Sequence, residues 1–290
     1  MHNNYSSSHR SEEPESGVLY LVGTPIGNLN DISSRAINIL RNVSLIACED
    51  TRQTKKITNR FDISNRLISF NKHNSLTRIP KIINFLKEGK SVALVSDAGM
   101  PSICDPGEDL VKNVKNNNFE TICIPGPSAA LTALISSGFS ASKFIFEGFL
   151  PKKKNEREKI LSEISENEKT TIIFESPHRF NKLLNELKEY CGGEREISVS
   201  RELTKKYEEQ INNKIDNVIE IFKNREIIGE ITIVIKGLEK CNQSEFNNSE
   251  LKKELEELIN AGLSLSAAAK YLAKKRNLKK NLIYNLFKIE

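Results

Sequence analysis

The chain has 290 residues, of which 43 are Lys or Arg and 38 are Asp or Glu, for a formal net charge of +5. Apolar residues make up 38% and charged ones 28%, yet the charges are mixed in sign and apolar runs recur, which argues against a wholly disordered chain. No run approaches the roughly 18 uncharged apolar residues of a membrane-spanning helix, and the small positive balance permits a polyanionic partner without requiring one.

At about 150 residues per domain the length suggests two domains with a small appendage. Residues 1–16, MHNNYSSSHRSEEPES, are polar and carry no apolar core, so a disordered leader is expected there rather than a secretion signal. From Gly17 onward short β-rich runs alternate with helical patterns. A strand is expected over 18–22, then a helix over 31–41 opened by an Asp31 cap, then a strand over 45–48. A helix over 78–87 and a strand over 91–95 follow. Next come a second Asp-opened helix over 105–116, a strand over 121–124 and a small-residue helix over 128–136. The strands read as continuous apolar runs, as burial on both faces demands, and their alternation with crossover helices indicates a largely parallel sheet.

A composition break at PKKKNEREK, beginning at Pro151, separates this region from a second α/β pattern: strand 171–174, helix 180–189, strand 197–199 and strand 231–235. After a polar stretch, Leu251, Leu255, Leu258 and Ile259 follow helical spacing. A turn at Gly262, a small-residue helix over 264–273 and an amphipathic piece over 281–289 complete a helix-turn-helix-like layout. The expected division is therefore a leader (1–16), a first α/β domain (17–150), a second (151–238) and a helical module (249–290). The five cysteines (Cys48, Cys104, Cys123, Cys191, Cys241) are odd in number, widely spaced and free of CxxC. They suit a reduced, cytoplasmic protein better than a disulfide framework or a zinc site, and no metal-ligand spacing is present.

Every chemically dense segment follows an expected strand, where open α/β sheets bind ligands. Gly23-Thr-Pro-Ile-Gly27 is a glycine-bearing turn that brings backbone N–H groups close to a ligand, though it is neither a Walker A loop nor a GxGxxG fingerprint. Glu49, Asp50 and Arg52 put three ionisable groups at one strand end. They either face a cleft or open a capped surface helix. The loop from Ser96 to Gly107 holds small residues, two prolines and two aspartates, a combination that favours ligand binding. Pro125-Gly-Pro-Ser128 enters a helix whose Ala129, Ala130 and Ala133 allow either a flat ligand or tight packing. Phe146-Glu-Gly-Phe-Leu-Pro151 ends the first domain, where a cleft would open.

Taken in order, the segments VGTPIGNLNDIS, ACEDTRQT, SDAGMPSICDPG, PGPSA, FEGFLP, FESPHR and SRELTKKYEE resemble the tetrapyrrole methylase superfamily. Within it they resemble the branch of small-subunit ribosomal RNA cytidine 2′-O-methyltransferases. Seven ordered motifs across 17–237 make a specific signal. The resemblance implies two α/β domains with a cleft between them, S-adenosylmethionine folded in that cleft, and a homodimer. By motif, Gly23, Thr24 and Pro25 would form the cleft floor, and Asp97, Ala98, Gly99, Met100 and Pro101 would hold the methionine part. Ser128, Ala129, Glu175 and Ser176 would flank the rest. Where the family has His-Asn-Glu, this chain has His73-Asn74-Ser75, without the carboxylate.

A ribose hydroxyl is a poor nucleophile, so transfer requires in-line placement and benefits from a proton acceptor. Asp97, Asp50, Glu49, Glu147 and His73 are the candidates, and the residue types alone do not choose among them. RNA would be met by the basic segment Lys152, Lys153, Lys154 and Arg157, and by Lys274, Lys275, Arg276 and Lys279 in the C-terminal module. Arg179 and Arg201 would touch phosphate or hold Glu175 and Glu202. The partner is then small-subunit ribosomal RNA, naked or in the assembled 30S subunit, in the cytoplasm. Two other readings remain at this level. One is methylation of a porphyrin-like or corrin-like ring on the same fold; the other is a non-catalytic RNA-binding protein on the same scaffold.

Overall fold

The computed structural model describes residues 13–239, 248–276 and 283–284. The leader expected over 1–16 lies outside them except for its last four residues. The described chain divides into two compact units, one up to Gly237 and one from Leu238.

The first unit opens on β1 (Leu19–Val22), whose sequence LYLV explains the architecture around it. Tyr20 and Val22 enter one core with Ala36, Ile39 and Leu40 of α1 (Ser34–Asn42). Leu19 enters the opposite core with Ile79, Ile82 and Leu86 of α3 (Ser75–Lys87), and with Leu110 and Val114 of α4 (Glu108–Asn116). A strand covered on both faces has no polar side, hence the unbroken apolar runs of β1, β2 (Leu45–Cys48) and β4 (Val92–Val95). With β3 (Leu67–Ser69) and β5 (Thr121–Ile124) these make a five-stranded parallel sheet of order β3-β2-β4-β1-β5. All five carboxyl ends therefore point the same way.

The second sheet is mixed, with order β6-β7-β10-β8-β9: β6 (Phe144–Phe149), β7 (Thr170–Glu175), β8 (Glu196–Arg201), β9 (Glu209–Lys214) and β10 (Ile231–Ile235). Only β6 and β7 are parallel; the other three pairs are antiparallel. One face packs on α6 (Lys154–Glu166), α7 (Pro177–Cys191) and α8 (Ile215–Phe222) through Leu161, Phe180, Leu183 and Phe222. The other face receives Ala130, Ala133 and Leu134 of α5 (Ala129–Ser137), which pack against Ile172 and Val234. The alanines of α5 thus serve close helix–sheet packing, and Ala129 alone among them is left to line a cavity.

Several expectations are corrected. The helix expected from Asp31 begins at Ser34, because Ser33 Oγ accepts the Ala36 N–H at 3.1 Å while Asp31 ends a short 3-10 turn capped by Asn28. The helix expected from Asp105 begins at Glu108, since Pro106 and Gly107 break the chain first, and Asp105 lies before it in the loop. The helix expected from Arg78 starts at Ser75, with Pro80 tolerated in its second turn. The FEGFLP segment, expected to close the first domain, is β6 of the second sheet. A bulge at Glu147 and the intervening Gly148 interrupt its apolar run. The basic break after Pro151 is α6. For the helix α2 (Thr51–Arg60) the sequence pattern marks only the capped start, and there Asp50 Oδ1 accepts the Arg52 N–H at 2.8 Å.

The second unit contains α9 (Asn248–Asn260) and α10 (Leu265–Arg276), whose Leu255, Ala268, Ala269 and Leu272 form a small core with Ile283. The piece expected over 281–289 lies outside the described residues apart from Ile283 and Tyr284. Among the described residues, no helix is long and apolar enough to cross a membrane.

Candidate active site

At the carboxyl ends of the first sheet a cavity of about 470 Å³ opens toward the second sheet. Small-molecule sites fall between about 300 and 1,000 Å³ and combine apolar walls with a few polar groups. Here the walls are Ile26, Met100, Ala129, Phe149 and Phe174, and the polar groups include Glu49, Asp97, Asp105, Ser128 and Ser176.

The local sequence explains why backbone comes so close to this space. Gly23 ends β1 and Gly126 follows β5. A Cβ on Gly23 would sit 2.7 Å from Gly126 Cα and 2.6 Å from Met100 Sδ, so only glycine allows the two loops to touch. Thr24 is fully buried and pairs with Gly99, whose N–H donates to the Thr24 carbonyl at 3.1 Å, while the Gly99 carbonyl accepts at 2.8 Å. Gly99 has φ of +78°, a conformation glycine adopts without strain. Gly23, Thr24 and Pro25 therefore stand behind the cavity wall and brace it, whereas Asp97, Ala98, Gly99, Met100, Ser128, Ala129 and Ser176 face the cavity as expected. Pro101 is buried next to that wall and does not line it.

Of the five candidate proton acceptors, two line the cavity. Asp97 Oδ1 accepts the Asp50 N–H at 3.0 Å, and Glu49 is supported by the Asp97 main chain. Burial raises both carboxyls above their ordinary range. For Glu49 the charge of Asp97 adds to this, and for Asp97 that of Asp50 does. The other three are placed elsewhere. Asp50 is tied to Arg52 Nη2 at 2.7 Å, and the hydrogen bonds from Arg52 lower its pKa. Glu147 faces Glu163 of α6 and does not line the cavity; burial, then that charge, raises it. His73 is exposed outside the cavity.

Sequence reasoning missed the most perturbed group. Asp105, expected to open a helix and counted only as one of two aspartates in the ligand-binding loop, not as a proton acceptor, lines the cavity. Burial, then the charge of Glu49, pushes its carboxyl up to about 6. The signal was present in the paired prolines and glycine around it, Pro101 and Pro106-Gly107, which leave no room for a helix start at Asp105. Also missed was the opposite wall, Gly229, Glu230, Ile231 and Thr232 at the start of β10. These residues are distant in sequence and resemble any strand entry.

Glu175 lines the cavity as expected, and its side chain also serves as a buried anchor. Its carboxylate has no exposed surface and lies 2.6 Å from Arg179 Nη2 and 3.4 Å from Arg157 Nη2. Arg157 is corrected from an RNA contact: its side chain is 5% exposed, and it also pairs with Glu186 at 2.7 Å. Arg201 holds Glu209 at 3.0 Å, not Glu202, which Lys205 holds at 2.8 Å. Lys152, Lys153 and Lys154 are exposed; Lys153 and Lys154 pair along the helix with Glu156 and Glu158. In the second unit Lys275 is exposed, 3.6 Å from Glu254, while the side chains of Lys274, Arg276 and Lys279 lie outside the described residues.

The family profile of the tetrapyrrole (corrin/porphyrin) methylases matches residues 18–219. A protein of Bacillus subtilis (strain 168) called ribosomal RNA small subunit methyltransferase I is 42% identical over 281 residues, covering 94% of this chain and 95% of its own. A protein of the same name from Thermotoga maritima is 47% identical over 223 residues, covering 77% of this chain and 100% of its own. Among solved structures, a cobalt precorrin-4 methyltransferase superposes with a TM-score of 0.60 at 14% identity, covering 76% of this chain and 95% of that one, which supports the fold.

Proposed function

We propose that this chain, which belongs to the tetrapyrrole methylases and to their ribosomal RNA small subunit methyltransferase I family, transfers a methyl group from S-adenosylmethionine to a cytidine ribose 2′-hydroxyl of small-subunit ribosomal RNA. The observation that carries this reading is the cavity itself, where glycine-rich strand ends press backbone against a space of nucleoside size.

The residues present fit S-adenosylmethionine. The Gly23–Gly126 contact and the positive φ of Gly99 make a cradle that side chains would fill, and carboxylates surround a space suited to a cation. Asp97, Ala98, Gly99 and Met100 would hold its amino-acid end, and Ser128, Ala129 and Ser176 the remainder. When bound it supplies a methyl group already activated by positive sulfur. The chain then has three tasks: to exclude water with Ile26, Phe149 and Phe174, to hold the two reactants in line, and to take up one proton.

Unpaired RNA is read by phosphate contacts and by stacking. The exposed Lys152–154 segment supports such contacts in the first unit, and the basic α10 supports them in the second. The homodimer and the cytoplasmic setting that the resemblance implies belong to this reading, as does the assembled 30S subunit as substrate. Light scattering on the purified protein tests the dimer. Ring methylation has less support, since the relatives above carry a ribosomal RNA name across nearly the whole chain.

The test is incubation with labelled S-adenosylmethionine and small ribosomal subunits, followed by nuclease digestion. Label in 2′-O-methylcytidine supports the reading. Unlabelled RNA, with label passing to a porphyrin-like or corrin-like acceptor instead, overturns it.

A further inference from the structure

Five carboxylates line the cavity; Glu175 is held by Arg179 at 2.6 Å and Glu230 by Lys205 at 2.9 Å, and the remaining three are not equivalent. Glu49 follows β2, Asp97 follows β4 and Asp105 ends the long loop before α4. The first two are committed to main chain: the Asp50 N–H donates to Asp97 at 3.0 Å, and the Asp97 N–H supports Glu49. This reciprocal tie fastens the ends of two neighbouring strands. No main-chain N–H among the described residues supports Asp105, and the nearby Ser96 hydroxyl is within reach of the Ala98 and Gly99 carbonyls at 3.3 Å. The loop that delivers it is bent for the purpose. Ser102 and Cys104 take φ of +70° and +65°, left-handed conformations that strain non-glycine residues and that cluster at functional sites.

We infer that Asp105 accepts the ribose hydroxyl proton during methyl transfer, an inference that rests on the reading of the chain as a ribose methyltransferase. The hydroxyl oxygen forms a bond to the methyl carbon while the carbon–sulfur bond breaks and its electron pair stays on sulfur. The O–H proton passes to a carboxylate oxygen of Asp105, and its later release to solvent restores the enzyme. The groups around Asp105 set its basicity. Glu49 from the end of β2 and Asp97 from the end of β4 oppose its charge. Lys72, in the loop after β3, and Ser96 favour it, and Cys104 adjoins it in its own loop. A carboxylate poised near 6 is ionised at neutral pH yet holds a proton better than an ordinary one, as a general base should.

The experiment uses the full chain, S-adenosylmethionine and small ribosomal subunits under single-turnover conditions. Asp105→Asn keeps the shape and removes the basicity; Asp105→Glu keeps the basicity. General-base removal predicts a rate loss of about 100-fold or more for Asp105→Asn at pH 7.5, with Asp105→Glu recovering at least about tenfold of it. Binding of S-adenosylhomocysteine to the Asn variant should stay within about threefold of wild type. The wild-type rate should fall as pH drops through about 6, and a carboxyl ¹³C signal that titrates there should vanish in Asp105→Asn. The inference is overturned if the Asn variant keeps its rate within about tenfold. It is overturned equally by an unchanged acid limb in that variant, by loss of S-adenosylhomocysteine binding together with the rate, or by an ordinary carboxyl titration. Failure of the underlying reading looks different, since wild type itself would then leave the RNA unlabelled, and the inference would fall with it.

Discussion

Asp97 Oδ1 accepts the backbone N–H of Asp50 at 3.0 Å, so the tip of β4 is fastened to the entry of α2 across the cavity rim. Hydrogen bonds to a charged acceptor are worth about 1.5–3 kcal/mol. Asp97→Ala should therefore weaken S-adenosylmethionine binding by about 10- to 100-fold and abolish transfer. Asp97→Asn keeps an acceptor for Asp50 and should retain the local geometry. Calorimetry on both variants checks the pair; equal, wild-type affinities would remove Asp97 from the site.

Gly126→Ala should damage both stability and binding. The new Cβ would lie 2.8 Å from Gly23 Cα and 2.9 Å from its carbonyl carbon, so backbone has to move. Overpacking of this kind costs about 1–3 kcal/mol. A lower melting temperature combined with lost S-adenosylmethionine affinity is the expected result. Thermal unfolding with and without ligand measures it.

Arg157→Met tests the buried ion network. Removing one partner of a buried pair costs about 3–5 kcal/mol when a charge is stranded. Arg179 still holds Glu175, so the lower end is expected, with a melting temperature reduced by roughly 10 °C. Arg157→Lys should not restore it, because a single ammonium does not reproduce the fork that meets Glu175 and Glu186. RNA affinity of the folded variant should match wild type, in contrast to its place in the basic segment.

Lys152→Glu should act the opposite way. Lys152 is exposed, so melting should barely move. RNA affinity should fall, and the slope of log affinity against log salt should shrink by about 1 for the lost phosphate contact. Filter binding across a salt series reads both.

Asp105 also predicts a pH-dependent stability. Its folded carboxyl titrates at about 6, above the unfolded value of 3.8, so the folded state holds the proton more tightly. The group's contribution to stability is thus complete below about pH 4 and lost as pH rises through 6. Asp105→Asn should melt higher than wild type at pH 7.5, and the gap should close on acidification. Melting curves at several pH values check the sign.

Much of this fold is legible in the residues. Strands β2, β5 and β10 fall where their apolar runs place them; β2 is buried along its whole length, and β10 is as well, with Thr232 its one polar residue, whereas β5 is an edge strand whose Cys123 is exposed. What escapes has a physical cause in each case. β9 reads EQINNK, an edge strand paired only to β8, and it needs no apolar pattern. α6 is so rich in Lys and Glu that it resembles a linker, and its one buried cation, Arg157, makes sense only after β7 and α7 bring Glu175 and Glu186 to it. The site follows the same rule. Loops that bend sharply announce themselves through Gly, Pro and Asp, whereas the wall from Gly229 to Thr232 is created by the pairing of distant strands.

The helix α5 leaves the edge strand of one sheet and buries its alanines in the core of the other. Any hinge between the halves would have to pull that helix out of a packed interior. The width of the opening between the two sheets is thus set when the chain folds. Selectivity by size should then be stiff, with bulky analogues excluded outright and not slowly accommodated.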